Sequence, residues 1–130
     1  GGKPIKRLYL TDEGDELQVH LCFGYGAYEV PYDRSLPETS VRRKPESWTL
    51  LRIHRDPVGE QKIWDKVSSS HHGLKRSGRG YDANVFLLRS RVDPIDFLMR
   101  HVPRLTKNGF EIYGEEKGET PGPGTDRPGK

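Results

Sequence analysis

The sequence predicts an α+β fold, with a mixed or antiparallel sheet of about five or six strands and two helices on one face of that sheet. The main observation is a phrase that occurs twice, Leu-Leu-Arg and then, after three residues, Asp-Pro, at residues 50–57 and 87–94. In each copy an apolar run typical of a strand leads to an Asp that can cap a helix and a Pro suited to the first helical position. A second observation is the alternation of apolar and polar residues near the N-terminus, which is typical of a half-buried strand. We therefore expect two strand-helix units that lie side by side.

Strand signals recur along the chain, and the clearest lies in residues 17–23. There the apolar residues occupy every second position, so that one face of the strand is apolar. An acidic turn, residues 12–16, precedes this strand, and Gly24-Tyr25-Gly26 follows it. Strands are predicted over residues 5–11, 17–23, 27–30, 48–53, 85–88 and 110–113.

Two helices are predicted, over residues 57–67 and 94–107. The second has apolar residues at helical spacing, which we expect to face the core: Ile95, Leu98, Val102 and Leu105. Asn108-Gly109 predicts the end of this helix. Pro103 predicts a kink or an earlier end, because proline removes a backbone donor and crowds the preceding turn.

Two segments lack the apolar residues that packing requires. Residues 68–82 contain a Gly- and Arg-rich stretch, so we expect this segment to be mobile. The chain after Tyr113 contains no large apolar residue. We therefore expect a single domain, residues 1–113, followed by a disordered tail or linker, residues 114–130.

Composition limits the class of protein. Only 32% of the 130 residues are apolar, and the chain has 15 Gly and 10 Pro, which indicates a large share of loop. Cys22 is the single cysteine, which excludes an internal disulfide and a multi-cysteine zinc site. No apolar run approaches the ~20 residues needed to cross a bilayer. We expect a cytoplasmic protein.

The sequence offers no catalytic constellation. His71 and His72 are adjacent, and His20 and Cys22 lie on one face of a predicted strand, but a metal site needs more ligands than either pair supplies. A small enzyme would need His20, Cys22 or His101 to lie beside acidic partners. Residues 124–130 match the spacing of a phosphate-binding loop up to its lysine, without the strand and helix that such a loop requires. We expect neither a catalytic residue nor a cofactor or metal in this chain.

Basic residues are concentrated in the middle of the chain, where residues 42–79 carry ten basic and four acidic side chains. Phosphate contacts need positive charge and reach, and Trp48, Trp64 or Tyr81 could add base stacking if exposed. The alternative interpretation is a solvated surface. The candidate nucleic-acid contacts are Arg42, Arg43, Lys44, Arg52, Arg55, Lys75, Arg76, Arg79, Arg100 and Arg104.

Several of these features together resemble a known family. They are the alternating strand 17–23 running into Gly24-Tyr25-Gly26, Arg55 before a helix that carries Glu60, and the segments Phe97-Leu98, Val102-Pro103-Arg104-Leu105 and Gly109-Phe110-Glu111-Ile112-Tyr113. In this order they resemble the accessory region that precedes the motor in bacterial Swi/Snf-family helicases.

The resemblance implies a piece of a larger helicase-like, DNA-dependent ATPase whose motor, with its ATP and Mg²⁺, lies outside this chain. Such an accessory domain would have no catalytic activity of its own and would dock on the motor, regulate it, or contact DNA. The absence of an initial Met agrees with a processed or excised chain. The alternative hypothesis is a protein-interaction module with no nucleic-acid role.

Overall fold

The computed structural model describes residues 2–35, 39–43, 50–78 and 80–114. The strands are β1 (Ile5–Glu13), β2 (Glu16–Tyr25), β3 (Tyr28–Pro31), β4 (Thr39–Arg43), β5 (Leu50–His54), β6 (Leu74–Arg76), β7 (Val85–Leu88) and β8 (Glu111–Gly114). The helical segments are α1 (Pro57–Val67), a 3-10 turn (Ser70–His72), α2 (Pro94–Asp96), a π turn (Phe97–His101) and α3 (Val102–Lys107).

Six of these strands form one sheet in the order β6-β7-β2-β1-β8, with β3 also paired to β2. The pairs within it are antiparallel, except that β8 runs parallel to β1. This confirms the predicted α+β class. The expectation that the two strand-helix units lie side by side is wrong, because β5 pairs with β4 in a separate two-stranded sheet while β7 belongs to the main sheet.

One hydrophobic core lies between the main sheet and the helices. Alternate residues of β1 and β2 point into it, as the period-two pattern predicts. The helices cover that face with the side chains of Trp64, Val67, Phe97, Val102 and Leu105. The sheet contributes Leu8, Leu10, Val19, Leu21, Phe23, Leu74, Phe86 and Ile112.

Both predicted helix caps are present. The Asp56 carboxylate accepts a hydrogen bond from the backbone N–H of Gly59 at 3.1 Å, and the Asp93 carboxylate accepts one from Asp96 at 2.7 Å. A proline follows each cap, where no amide donor is needed. No helix in the described ranges is long and apolar enough to cross a membrane.

The segment 68–82, expected to be mobile, instead contains packed structure. Leu74 is fully buried on β6, and His72 is 5% exposed. Arg89 fastens this segment, because its Nε donates to the carbonyl of Leu74 and its Nη2 to the carbonyl of Ser68, both at 2.7 Å. Long-range hydrogen bonds to the backbone thus supply the order that local apolar content does not indicate. Within the predicted tail, residues 115–130 lie outside the described residues, so the domain boundary stays a prediction.

Pro103 neither ends the second helix nor breaks it. A π turn over residues 97–101 precedes it, in which the N–H of Val102 donates to the carbonyl of Phe97. A π turn holds one more residue than an α turn, so it changes which side chains face the core. Phe97, His101, Val102 and Leu105 are buried, whereas Ile95 and Leu98 are 72% and 46% exposed. The prediction that Ile95 and Leu98 face the core is therefore wrong.

A buried ion pair connects α1 to the sheet. The guanidinium of Arg55 binds both carboxylate oxygens of Glu60, at 2.6 and 3.0 Å, and donates to the carbonyl of Pro31 at 2.9 Å. The Tyr25 hydroxyl donates to Glu60 at 2.6 Å and accepts from the backbone N–H of Asp56 at 2.9 Å. The Arg55 and Glu60 side chains are 4% and 1% exposed. These bonds join the ends of β2 and β3 to the first turn of α1.

Replacing Glu60 by Ala removes the carboxylate that binds the buried Arg55 guanidinium at two oxygens, so we expect the free energy of unfolding to fall by about 3–5 kcal/mol. Chemical denaturation followed by circular dichroism measures this change. Glu13→Ala, at an exposed carboxylate, is the matched control and should change stability little.

The double variant Arg55→Met/Glu60→Leu removes both charges together and should therefore cost less than Glu60→Ala. Equal effects of Glu60→Ala and Glu13→Ala would show that the pair is not structurally important.

Candidate nucleic-acid interface

A groove of about 410 Å³ lies between the loop after β3 and the segment after β6. Its lining includes Arg34 from the loop after β3, Trp64 from α1 and Arg76 from β6. Tyr81 and Asp82, from the segment after β6, also line it. A neighbouring hollow of about 540 Å³ shares Arg34, Tyr81 and Asp82 with the groove. The two together form a continuous concave surface with aromatic, cationic and acidic side chains.

The indole of Trp64 forms the floor of the groove. It stacks on Tyr32 with ring centroids 5.1 Å apart and an angle of 16° between the planes, and its Nε1 donates to the carbonyl of Ala83 at 2.8 Å. Only 5% of Trp64 is exposed, so this ring is not free to stack on a base. Tyr81, at 42% exposed, has the required access, and Trp48 lies outside the described residues.

Two arginines lie over the same indole ring. The guanidinium carbon of Arg76 is 3.9 Å from the centroid of a Trp64 ring and that of Arg34 is 5.4 Å away, which are cation–π distances. Arg76 also donates to Asp65 at 3.0 Å and to the Ser68 hydroxyl at 3.3 Å, and half of its side chain is exposed. Stacking restricts the orientation of both groups at the groove. Arg34 is not among the predicted contacts, since nothing in the local sequence places it near residue 64 or 76.

Cations also surround the C-terminal end of α1. Besides Arg89, which binds the carbonyl of Ser68, Arg104 donates to the carbonyl of His71 at 3.3 Å. Lys66 lies in the last turn of the helix. Positive charge is favourable here because the carbonyls that end a helix carry partial negative charge. One donor of Arg104 therefore has a structural partner, although the side chain itself is exposed.

Three lysines come together near the start of β1. Burial lowers the pKa of Lys6, and the nearby positive charges of Lys66 and Lys3 lower it further. The Lys6 ammonium lies 4.6 Å from the centroid of the Phe110 ring. These lysines did not appear as a basic cluster in the sequence because α1 and β1 are far apart along the chain.

The other predicted contacts do not converge on the groove. Arg52 is exposed on β5 and borders a separate hollow of about 300 Å³ with Lys3 and His54. Lys75 is exposed on β6, an edge strand, and Arg100 pairs with Asp96 at 3.2 Å. The predicted set is thus distributed over several surfaces.

Four more of the predicted nucleic-acid contacts lie either on β4, which pairs with β5, or outside the described residues. Arg42 and Arg43 lie on β4, whose register places Val41 opposite Arg52. Lys44 and Arg79 lie outside the described residues. The prediction for Arg55 is wrong, because its guanidinium is buried against Glu60 and cannot reach a phosphate group.

Cys22 and His20 lie on one face of β2, as predicted, but neither is arranged as a nucleophile. Burial raises the pKa of the Cys22 thiol to about 12, so at neutral pH it is protonated. The Nε2 atom of His20 lies 3.2 Å from the Gln18 side-chain oxygen and 3.3 Å from the Thr11 hydroxyl. Among the described residues, no group of three or more His, Cys, Asp or Glu side chains is placed to hold a metal ion.

The fold also brings His72 and His101 together, which the sequence did not indicate. Each is 5% exposed, and the Nδ1 atom of each has no hydrogen bond within the described part of the chain. Gly73 allows this approach, because its φ of +71° favours glycine and a Cβ there would lie 2.9 Å from the His101 Nε2 atom. Burial lowers the pKa of His72, and the charges of His71, His101, Arg104 and Lys66 lower it further.

Comparison of the chain with protein-family models, with curated proteins and with solved structures finds no match. A function must therefore be argued from the chain's own residues. Within the described part of the chain, the groove at Trp64 brings two exposed arginines together over one aromatic ring.

The buried His72 should make stability depend on pH. Because the folded-state pKa lies below the unfolded value of about 6.5, the unfolded chain takes up a proton first as the pH falls. Neutral His72 therefore makes its full contribution to the free energy of unfolding above about pH 7. This contribution decreases as the pH falls through about 6.5 towards the folded-state pKa. Thermal unfolding of the wild type and of His72→Gln between about pH 7.5 and 5 tests this.

The stability advantage of the wild type over His72→Gln should decrease as the pH falls. Ser90→Ala, at an exposed residue whose side chain does not titrate, is the matched control and should differ from the wild type by an amount that does not change with pH. A His72→Gln difference that does not change with pH would contradict the assignment.

Proposed function

We propose that the chain is a non-catalytic accessory domain of a bacterial Swi/Snf-type, DNA-dependent ATPase, and that it contacts DNA phosphates through Arg34 and Arg76. The motor, with its ATP and Mg²⁺, would belong to another part of the same polypeptide. The observation that carries the DNA contact is the pair of guanidinium groups held over the Trp64 ring at the groove.

The convergence of the residues behind the resemblance supports the accessory-domain part of the proposal. Tyr25, Arg55 and Glu60 are widely separated in sequence, yet they form one buried hydrogen-bonded junction. In the later segments of the resemblance, Phe97, Val102 and Leu105 are buried on the second helix, and the last segment includes the strand β8, which pairs with β1. Several of the shared residues therefore belong to the framework of the fold, whereas Arg34 and Arg76 lie outside the resemblance and stay available for contacts.

The chemistry of the groove favours a phosphate group. Arginine presents several donors in one plane, which suits the oxygens of a phosphate, and stacking on an aromatic ring limits the orientations that must be lost on binding. Arg76 is half exposed, and its bond to Asp65 is a surface ion pair that a phosphate could replace at small cost. Tyr81 is accessible at the same groove for contact with a base.

A protein-interaction module with no nucleic-acid role is the second candidate function. The observation that favours it is the exposed apolar surface of the second helix, where Ile95 and Met99 are 72% and 73% exposed. Exposed apolar side chains that cluster on one surface are typical of protein interfaces.

Salt dependence of DNA binding tests the proposed contact. The protein is titrated into a fluorescein-labelled single-stranded oligonucleotide and a duplex of equal length, and anisotropy is followed from about 20 to about 200 mM salt. The wild type should bind both more weakly as salt rises. Arg34→Ala/Arg76→Ala removes two phosphate contacts, so the slope of log K against log salt should decrease in magnitude by about 1.4 for the single strand and about 1.8 for the duplex.

Two matched variants separate charge from structure. Arg91→Ala removes an exposed arginine that does not line the groove, and its slope should equal that of the wild type. Arg76→Lys keeps the charge while losing the planar stacking, so it should retain most of the slope. Absence of binding at low salt, or an unchanged slope in the double alanine variant, would refute the DNA contact and favour the protein-interaction module.

A further inference from the structure

The π turn creates an exposed apolar strip along the second helix. Ile95, Met99 and Pro103 follow one another at intervals of four residues, and all three are exposed, the first two by 72% and 73%. Phe97, His101 and Leu105 have the same spacing and are buried on the opposite side. The helix is thus apolar on two sides, and within the described residues only one side is covered.

Charged residues follow one flank of this strip. Asp96, Arg100 and Arg104 are also spaced by four, with the acid towards the N-terminal end and the arginines towards the C-terminal end. Asp96 binds Arg100 at 3.2 Å within the helix, while Arg104 is exposed one turn further on. Arg100 lies midway between Asp96 and Arg104. It directly follows Met99, which is the middle residue of the apolar strip.

We propose that this surface binds a second copy of the same chain, with the two helices antiparallel and a two-fold axis passing close to Met99. In such an arrangement, Ile95 of each copy packs near Pro103 of the other, and the two Met99 side chains meet at the axis. A two-fold contact requires a surface that is complementary to itself.

The charges at the two ends of the strip supply that complementarity, while the two Arg100 side chains, each bound to Asp96 of its own copy, come together near the axis. A two-fold axis perpendicular to the helices keeps the charged flanks of both copies on the same side, so Asp96 of one copy lies opposite Arg104 of the other. This pairing occurs twice, and the helix dipoles also run in opposite directions. A partner that lacks this pattern would leave either the acidic or the basic end of the strip without an opposite charge. Because the strip is one helix wide, we expect a weak, concentration-dependent dimer.

Sedimentation velocity from about 10 µM to about 1 mM protein tests the proposal. The wild type should pass from monomer to dimer within this range. Met99→Glu places two carboxylates at the two-fold axis and should weaken association at least tenfold. Val58→Glu alters an equally exposed apolar residue on α1, 68% exposed, and should dimerise as the wild type does.

A charge exchange tests the antiparallel arrangement. Arg104→Glu and Asp96→Arg each place like charges opposite one another and should each weaken the dimer several-fold, whereas the double variant restores opposite charges and should bind within about twofold of the wild type. Circular dichroism verifies that each variant is folded. A wild type that stays monomeric throughout, a Met99→Glu variant that still dimerises, or a double variant without recovery would each overturn the proposal. None of these results depends on whether the chain binds DNA.

Discussion

The ion pair between Arg55 and Glu60 sets the position of α1, and the groove depends on that position. Both side chains are charged and buried, so each stabilises the charge of the other. Arg55 also donates to the backbone carbonyl of Pro31, and Glu60 also accepts from the Tyr25 hydroxyl. With its first turn fixed to the ends of β2 and β3, α1 places Trp64 against the loop that follows β3. The aromatic stack with Tyr32 and the cation–π contacts of Arg34 and Arg76 follow from that placement.

The far end of α1 is stabilised differently. There the backbone carbonyls at and beyond the helix end need donors, and Arg89 and Arg104 supply them from distant parts of the chain. Among the described residues, arginines that look alike in the sequence therefore have different surroundings. Arg55 is buried and structural, Arg89 and Arg104 also bind backbone carbonyls, and Arg34 and Arg76 lie on an aromatic ring at an accessible groove. Arg34 and Arg76 thus combine restricted orientation with access to a ligand.

The second helix shows how one local irregularity has two consequences. The π turn before Pro103 puts Phe97 and His101 into the core and leaves Ile95 and Met99 on the outside. An unbroken α-helix would place Leu98 in line with Val102 and Leu105, as the periodicity predicts. The exposed strip is therefore a product of backbone geometry, and it lies on a different element from the groove, so that the two proposed contacts use separate surfaces.

By itself, the sequence determined the elements whose signals are local. Alternation in β2, the Asp caps at residues 56 and 93 and the α+β class depend on neighbouring residues, and all are present in the structure. The tertiary structure alone decided which face of the second helix is buried, the packing of residues 70–76, the burial of Arg55 and the presence of Arg34 at the groove. The face of the second helix depends on a π turn, which the 3.6-residue period of an α-helix does not predict. The other three depend on hydrogen bonds or contacts between residues far apart in the chain, and such interactions leave no local pattern in the sequence.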